Sequence, residues 1–112
     1  MKIAITAWGN RVSPVFDSAR TLLIAEIEEQ TIKDKTYVEF RPGDLQELTA
    51  RLAQMNVSTL ICGAISAKPT DTIAESRIRL ISFVTGNVMD ILKNFASRQT
   101  IDPTYMMPGC RR

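Results

Sequence analysis

The second half of the chain alternates strand-like apolar runs with segments of helical periodicity, and this order constrains the fold more than any other feature. Residues 57–62 and 78–84 are rich in β-branched and apolar side chains, as buried strands are. Residues 69–76 lie between them and are predicted to form a short helix that begins at a proline. A strand, a helix and a second strand in this order require a crossover connection, which makes the two strands parallel within one sheet.

Two further segments carry apolar residues at helical spacing. Before the first, Asp44 is a candidate helix cap, and Glu47 stands three residues later as in a capping box. Before the second, Gly86 ends the preceding strand and Asn87 caps the helix. The apolar stripes that these helices are expected to bury are Leu45, Leu48, Leu52 and Met55 in the first, and Val88, Ile91, Leu92, Phe95 and Ala96 in the second.

The first forty residues show strand patterns and no helical period. Residues 2–6 and 22–27 are short apolar runs, and residues 32–40 alternate between apolar and polar side chains over their far half. A polar turn at residues 28–31 separates the last two runs, which predicts an antiparallel hairpin. Together with the later parallel strands, these segments predict an α/β fold with one mixed five-stranded sheet and helices on both faces.

The long connection at residues 7–20 is the most informative stretch for function. Loops of this length are frequently functional, and ligands of open α/β sheets bind beyond the carboxyl ends of the strands. The junctions at residues 63–66 and 85–87 belong to the same rim, and each leads towards a helix N-terminus, where anions are favoured. The sequence therefore predicts a rim pocket for an anionic ligand. The alternative is that the glycines of these junctions only form tight turns.

Composition removes several classes of function. The chain has 112 residues and a formal net charge of +2, which is too mild to imply binding to nucleic acid or to an anionic membrane. It has no histidine, which excludes a Cys–His nucleophile pair. No apolar run approaches the ~20 residues of a membrane span, and the N-terminus lacks an apolar signal core. We therefore expect a cytoplasmic protein that is not an enzyme.

Three segments of the sequence form a recognisable set. They are Asn10-Arg11-Val12-Ser13-Pro14-Val15-Phe16-Asp17-Ser18-Ala19-Arg20, Leu60-Ile61-Cys62-Gly63-Ala64-Ile65-Ser66 and Met107-Pro108-Gly109-Cys110. This set resembles the signature segments of the dinitrogenase iron–molybdenum cofactor biosynthesis family, in its small stand-alone branch. The resemblance implies a three-layer α/β/α fold, ribonuclease-H-like in outline, and a role in binding or carrying an iron–sulfur or iron–molybdenum-type cluster. Since periodicity stops at Gln99, we expect one domain over residues 1–98 and a C-terminal tail over residues 99–112.

The residues expected to form the cluster site lie on the three rim junctions and in the tail. Cys110 is the candidate metal ligand, because a thiolate suits iron–sulfur clusters; the alternative is a bystander thiol. Trp8 offers a flat wall, and Arg11 and Arg20 offer forked donors for an anion, unless they form salt bridges with nearby carboxylates. The residues expected to line the site are Trp8, Asn10, Arg11, Ser13, Phe16, Asp17, Arg20, Gly63, Ala64, Ile65, Ser66, Gly86 and Asn87.

Two features leave the mode of cluster binding open. Members of the family often carry a histidine directly before the residue matched by Phe16, whereas this chain has Val15 there. One cysteine cannot supply a four-cysteine site, so further ligands would come from a second subunit, free thiols or a cluster-donor protein. Cys62 is expected to be a buried apolar residue; the alternative is a metal contact, because it lies beside Gly63 at the expected rim. The alternative function is a protein-interaction module that partners an iron–sulfur ATPase through the tail, without binding metal directly.

Overall fold

A mixed β-sheet lies between two helical layers. The computed structural model describes residues 1–107. In chain order its elements are β1 (Lys2–Trp8), β2 (Arg11–Val12), β3 (Thr21–Glu28), β4 (Thr31–Glu39), α1 (Leu45–Gln54), β5 (Val57–Ile61), α2 (Ala67–Glu75), β6 (Arg79–Ile81) and α3 (Val88–Arg98). Short 3-10 turns cover Phe16–Ser18 and Pro103–Tyr105. Within residues 1–107, no helix combines the length and apolar character needed to cross a membrane.

The sheet has the strand order β4-β3-β1-β5-β6, and the two-residue strand β2 pairs with β1 outside this path. β3 is antiparallel to both β1 and β4, whereas β5 is parallel to both β1 and β6. The predicted mixed five-stranded sheet and its hairpin are confirmed, and β2 adds a sixth, very short strand. Because β1, β5 and β6 run in the same direction, their carboxyl ends lie at one edge of the sheet, which we call the rim.

Alternation along β1 divides the buried side chains between two cores. Ile3 and Ile5 face α3, and Ala4 faces α1 and α2. The predicted stripe of α3 is buried throughout, whereas in α1 Leu48 and Leu52 are buried and Leu45 and Met55 are partly buried. The expected three-layer α/β/α arrangement is confirmed, with α3 on one face of the sheet and α1 and α2 on the other.

Side-chain caps fix the starts of α1 and α3. The Asp44 carboxylate accepts a hydrogen bond from the Glu47 amide at 3.1 Å, and the Asn87 side chain accepts from two amides in the first turn of α3. Both caps agree with the sequence prediction. The predicted start of the middle helix is wrong, because α2 begins at Ala67 and Pro69 is its third residue. Proline fits there because the first N–H groups of a helix have no partner within the helix.

Two further boundaries differ from the prediction. The strand expected at residues 78–84 spans only Arg79–Ile81. It stops because Phe83 adopts a φ of 62°, in the left-handed region, which interrupts an extended chain. The connection expected at residues 7–20 is not irregular throughout, because it contains β2 and a 3-10 turn. A two-residue strand carries no periodic pattern, so the sequence gives no signal for it.

The described part of the tail packs against the domain. Tyr105 and Met106 are partly buried on the core that includes α3. Met106 forms an isolated antiparallel bridge with Val84, and the Met107 amide donates to the Phe83 carbonyl at 2.8 Å. The last described residue therefore lies beside the segment that follows β6, at the rim.

The absence of a side chain at residue 63 lets the long loop lie directly on the end of β5. A Cβ atom on Gly63 would approach the Pro14 carbonyl oxygen to 2.5 Å and the Ser13 carbonyl oxygen more closely still. Both obstacles are backbone atoms, which cannot move aside as the end of a long side chain can. Only glycine therefore permits this contact.

We expect Gly63→Ala to lower the free energy of unfolding by about 1–3 kcal/mol, the usual cost of overpacking a close contact. Gly43→Ala is the matched control, because a Cβ there meets nothing within 4 Å; it should be neutral or slightly stabilising. Denaturant titration of both variants measures the difference. Equal unfolding midpoints for the two variants would contradict this account of the loop.

Candidate functional site

The long loop is bonded to the junction that follows β5. The Phe16 amide donates to the Ala64 carbonyl at 2.7 Å, and the Ala64 amide donates to the Pro14 carbonyl at 2.9 Å. Phe16 is fully buried. It therefore anchors the loop in the core between the sheet and α1, and its ring is not presented to a ligand. Ile65, also predicted to line the site, is partly buried against the same core.

The same loop is bonded to the start of α3. The Val12 amide donates to the Gly86 carbonyl at 2.9 Å, and the Val88 amide donates to the Asn10 carbonyl at 2.8 Å. The loop thus contacts both of the other junctions. The structure brings together all three segments that the sequence analysis places at the rim.

Asp17 lies at the N-terminus of α2. Its carboxylate accepts a hydrogen bond from the Ser66 hydroxyl at 2.9 Å and another from the Ser66 amide at 3.3 Å. A negative charge is stabilised there by the helix dipole and the unpaired N–H groups of the first turn. Asp17 therefore occupies the place where the sequence analysis expects an external anion.

The start of α3 is likewise satisfied by the chain itself. The Asn87 side chain accepts hydrogen bonds from the amides of Met89 at 2.9 Å and Asp90 at 3.2 Å. The Val88 amide is already bonded to the loop. Amides at both helix starts are therefore engaged within the chain, and the exposed guanidinium groups of Arg11 and Arg20 are the candidates for binding an anion.

A cleft of about 350 Å³ opens within the loop, between it and the facing ends of β1 and β3. Three of the predicted site residues line it, namely Trp8, Ser13 and Arg20. The junctions at residues 63–66 and 86–87 support the loop from outside the cleft. The lining residues that the sequence analysis did not assign to the site are Ala7, Gly9, Pro14, Val15, Ser18, Ala19 and Thr21. Val15 stands where members of the family often carry a histidine, which was a signal for it, whereas the others line the cleft only because of how the loop folds back.

Trp8 and Arg20 give the cleft its chemical character. Trp8 is 74% exposed, which is unusual for the largest apolar side chain. Arg20 is exposed, and no described carboxylate lies within ion-pair distance of it or of Arg11. Arg11 lies directly opposite Trp8 in the β1–β2 pair, so the two side chains share one face. The rim thus presents an exposed indole with Arg11 opposite it in the strand pair and Arg20 in the same cleft.

Arg20 also borders a second, wider groove, which it shares with Arg41 and Arg51. The Arg51 guanidinium donates to the Glu39 carbonyl at 2.8 Å and lies 3.9 Å from the Glu47 carboxylate. This groove is electrostatically mixed, whereas the 350 Å³ cleft has no carboxylate among its lining residues. The cleft is therefore the better place for an anion.

Few thiol groups are available to bind a metal in the described part of the chain. Cys62 is fully buried. Burial and, to a lesser extent, the charge of Asp17 raise the pKa of its thiol to about 12, so the thiol is protonated at neutral pH. This agrees with the expectation of a buried apolar residue. Within residues 1–107, no three His, Cys, Asp or Glu side chains lie together where they would hold a metal ion. Cys110, the predicted ligand, lies outside the described residues.

Solved structures share this fold. The crystal structure of PH0822 has a TM-score of 0.77 and 22% sequence identity, with 94% of this chain and 98% of that chain covered. The NMR structure of MJ0327 from Methanococcus jannaschii, named as a candidate dinitrogenase, has a TM-score of 0.73 and 19% identity over 91% of each chain. The NMR structure of TM1290 from Thermotoga, named as a candidate NifB protein of the DUF35 family, has a TM-score of 0.69 and 19% identity, with 96% and 97% covered.

At these identities the structural likeness shows the fold alone. No curated protein sequence matches the chain. The sequence does match the family described as dinitrogenase iron-molybdenum cofactor, over residues 1–98. That match includes every strand of the sheet, the three helices and the whole rim, and the chain therefore belongs to the dinitrogenase iron–molybdenum cofactor family.

Proposed function

We propose that this protein binds an iron–sulfur or iron–molybdenum-type cluster as cargo during cofactor assembly, without catalysing a reaction. The family is involved in dinitrogenase iron–molybdenum cofactor biosynthesis or related processes. The observation that carries the proposal is the cleft at the rim, where Trp8 is exposed and Arg20 has no ion-pair partner among residues 1–107. An anionic cluster at this place would meet forked donors and a flat apolar wall.

Charge at the rim favours an anionic cargo. Arg11 and Arg20 are both exposed on it, and neither forms a salt bridge with another residue of the described range 1–107. Asp17 is the negative charge of the loop, but its carboxylate is bonded to Ser66 at the start of α2, where the helix dipole offsets it. Arg20 is therefore the charged side chain that lines the cleft, and Arg11 adds a second positive charge on the neighbouring strand β2.

The tail ends close enough to supply a soft ligand. The Met107 amide is bonded to Phe83, and the Phe83 amide is bonded to the Gly63 carbonyl at 2.8 Å. Two successive backbone hydrogen bonds therefore link Met107 to the junction after β5. Each corresponds to the distance between neighbouring strands, so the total separation is roughly 10 Å. Three further residues span up to ~10 Å when extended. The thiolate of Cys110 is thus within reach of the rim.

Replacement of Cys110 by serine should remove bound metal. After anaerobic reconstitution with iron and sulfide, the wild type is expected to show a thiolate-to-metal absorption band and bound iron, and Cys110→Ser is expected to lose most of both, because serine is a poor ligand for soft metals. Unchanged unfolding midpoints serve as the control for folding. Equal metal content in the two proteins would reject Cys110 as a ligand, and no metal in either would reject the cargo.

Arg20→Gln should weaken cluster binding by about tenfold, the equivalent of roughly 1.4 kcal/mol for a lost charge-assisted hydrogen bond. Trp8 is the single tryptophan of the chain, so quenching of its fluorescence reports loading at the cleft. Arg77→Gln is the matched control, since Arg77 is exposed and follows the end of α2 remote from the rim. Equal affinities for the two variants, or loading without quenching, would place the cluster elsewhere.

A second candidate function is docking of a partner of the iron–sulfur ATPase class. The exposure of Trp8 (74%) and Val15 (41%) on the same rim favours it, because clustered exposed apolar groups mark interaction sites. Capture of the ATPase with all metal chelated should then be lost in Trp8→Ala and on deletion of residues 108–112. Tyr37→Ala is the control, because Tyr37 is also an exposed aromatic residue (56%) and lies on β4. Capture that requires metal would reject this candidate.

A further inference from the structure

A wide groove lies beside the rim, between α1 and the ends of β3 and β4 that are remote from their hairpin turn. Its volume is about 680 Å³, which is about twice that of the cleft beside Trp8. Arg20, Arg41 and Arg51 line this groove. They come from the segment before β3, from the segment after β4 and from α1. Three separate parts of the chain thus bring guanidinium groups to one place.

One of these guanidinium groups is held by the fold, and two are exposed. Arg51 donates to the Glu39 carbonyl at 2.8 Å, which fixes its guanidinium group at the end of β4. The Arg20 carbonyl accepts a hydrogen bond from the Phe40 amide at 2.9 Å, so its backbone is fixed to the same strand end. The side chains of Arg20 and Arg41 are exposed, and neither forms a salt bridge within the described part of the chain. Both can therefore turn to a ligand.

The carboxylates that border the groove offset little of this positive charge. Val38 packs against the core that faces α1 and α2, so alternation along β4 places the Glu39 carboxylate on the opposite face of the sheet. Glu47 lies 3.9 Å from Arg51, and its side chain is 52% exposed. An ion pair that is so exposed is weak. On the side of α1, three guanidinium groups therefore meet one carboxylate.

The dimensions of the groove select an anion whose charges are spread out. A compact anion is better served by the cleft, which has no carboxylate among its lining residues. The cations of the groove stand on three separate segments, which suits carboxylates spaced along a peptide. Glu47 would repel a densely charged phosphate chain, and the aromatic residue of the groove, Phe40, is only 6% exposed, so nucleic acid bases find no ring to stack on. The chemistry of the groove therefore favours an acidic peptide segment.

We propose that this groove docks an acidic segment of the protein that receives the cargo, and that this segment competes with the cargo for Arg20. The inference rests on the proposed function, because it names the chemistry of the recipient. Arg20 lines both the groove and the cleft, and one guanidinium group cannot bind the cargo and a partner carboxylate fully at the same time. Docking therefore weakens the binding of the cargo, as transfer requires. By thermodynamic reciprocity, bound cargo weakens docking by the same factor.

The first experiment measures the binding of a fluorescently labelled hexaglutamate peptide to the full chain by anisotropy at low ionic strength. Arg41→Gln should weaken binding about tenfold, the equivalent of ~1.4 kcal/mol for one lost charge-assisted contact. Arg77→Gln is the matched control, because it removes the same charge between α2 and β6, at the opposite edge of the sheet. Substitution of Arg51 is avoided, because it would also remove the hydrogen bond to the end of β4.

Two results would overturn the docking site. One is an equal affinity of Arg41→Gln and Arg77→Gln for the peptide, with unfolding midpoints unchanged in both. The other is tighter binding of a labelled oligothymidylate than of hexaglutamate, with the same dependence on Arg41, which would assign the groove to a phosphate chain.

The second experiment tests the competition. Saturating hexaglutamate should lower the affinity of the wild type for an iron–sulfur cluster by up to about tenfold, which is the loss expected for Arg20→Gln, and should leave the affinity of Arg20→Gln unchanged. An unchanged affinity in the wild type would reject the competition. Peptide binding that depends on Arg41 in a protein that takes up no cluster would uphold the docking site and reject the cargo. Cluster loading by a protein that binds no peptide would reject this inference and leave the proposed function standing.

Discussion

The contact between the long loop and the end of β5 is the constraint on which the rest of the rim depends. The loop lies on backbone at Gly63, where no other residue leaves room, and it is held there by paired hydrogen bonds with Ala64. This contact buries Phe16 and brings Asp17 to the start of α2. It also leaves the other side of the loop open as the cleft beside Trp8. The absence of a side chain at Gly63 thus allows both the burial of Phe16 and the opening of the cleft beside Trp8.

The helix starts at the rim serve the fold, and this shifts recognition to side chains. Backbone amides at a helix N-terminus bind anions well, but here Asp17 and Asn87 occupy them. Under the proposed function, an anion would bind to Arg11 and Arg20 instead. Guanidinium groups on exposed loops contribute little to folding stability, so they are free to supply binding energy. The same residues would give little affinity if they were already engaged in ion pairs.

The fold could be predicted because it follows from local sequence patterns. The candidate site was harder to predict because it depends on contacts between segments that are far apart in the sequence. The stripe of α3 and the caps at Asp44 and Asn87 follow from residues a few positions apart, and the structure confirms them. The bond between Val12 and Gly86 joins segments that no periodicity connects. The sequence analysis considered Gly63 as part of an anion-binding junction or of a tight turn, and the structure shows that the long loop packs against its backbone. The sequence predicted that Arg20 lies on the long loop, but it could not show whether a carboxylate would form an ion pair with it.

The small number of thiol groups fits the proposed role of a protein that releases its cargo. The chain has no histidine and two cysteines, so it cannot supply the four thiolates of a complete cluster site. A complete set of thiolates would hold a cluster too firmly for transfer, because every metal–sulfur bond would have to be exchanged. Under the proposed function, a single thiolate from Cys110 together with the cleft beside Trp8 would leave the remaining metal positions to a donor or a recipient, which is the arrangement that a carrier needs and a permanent site does not.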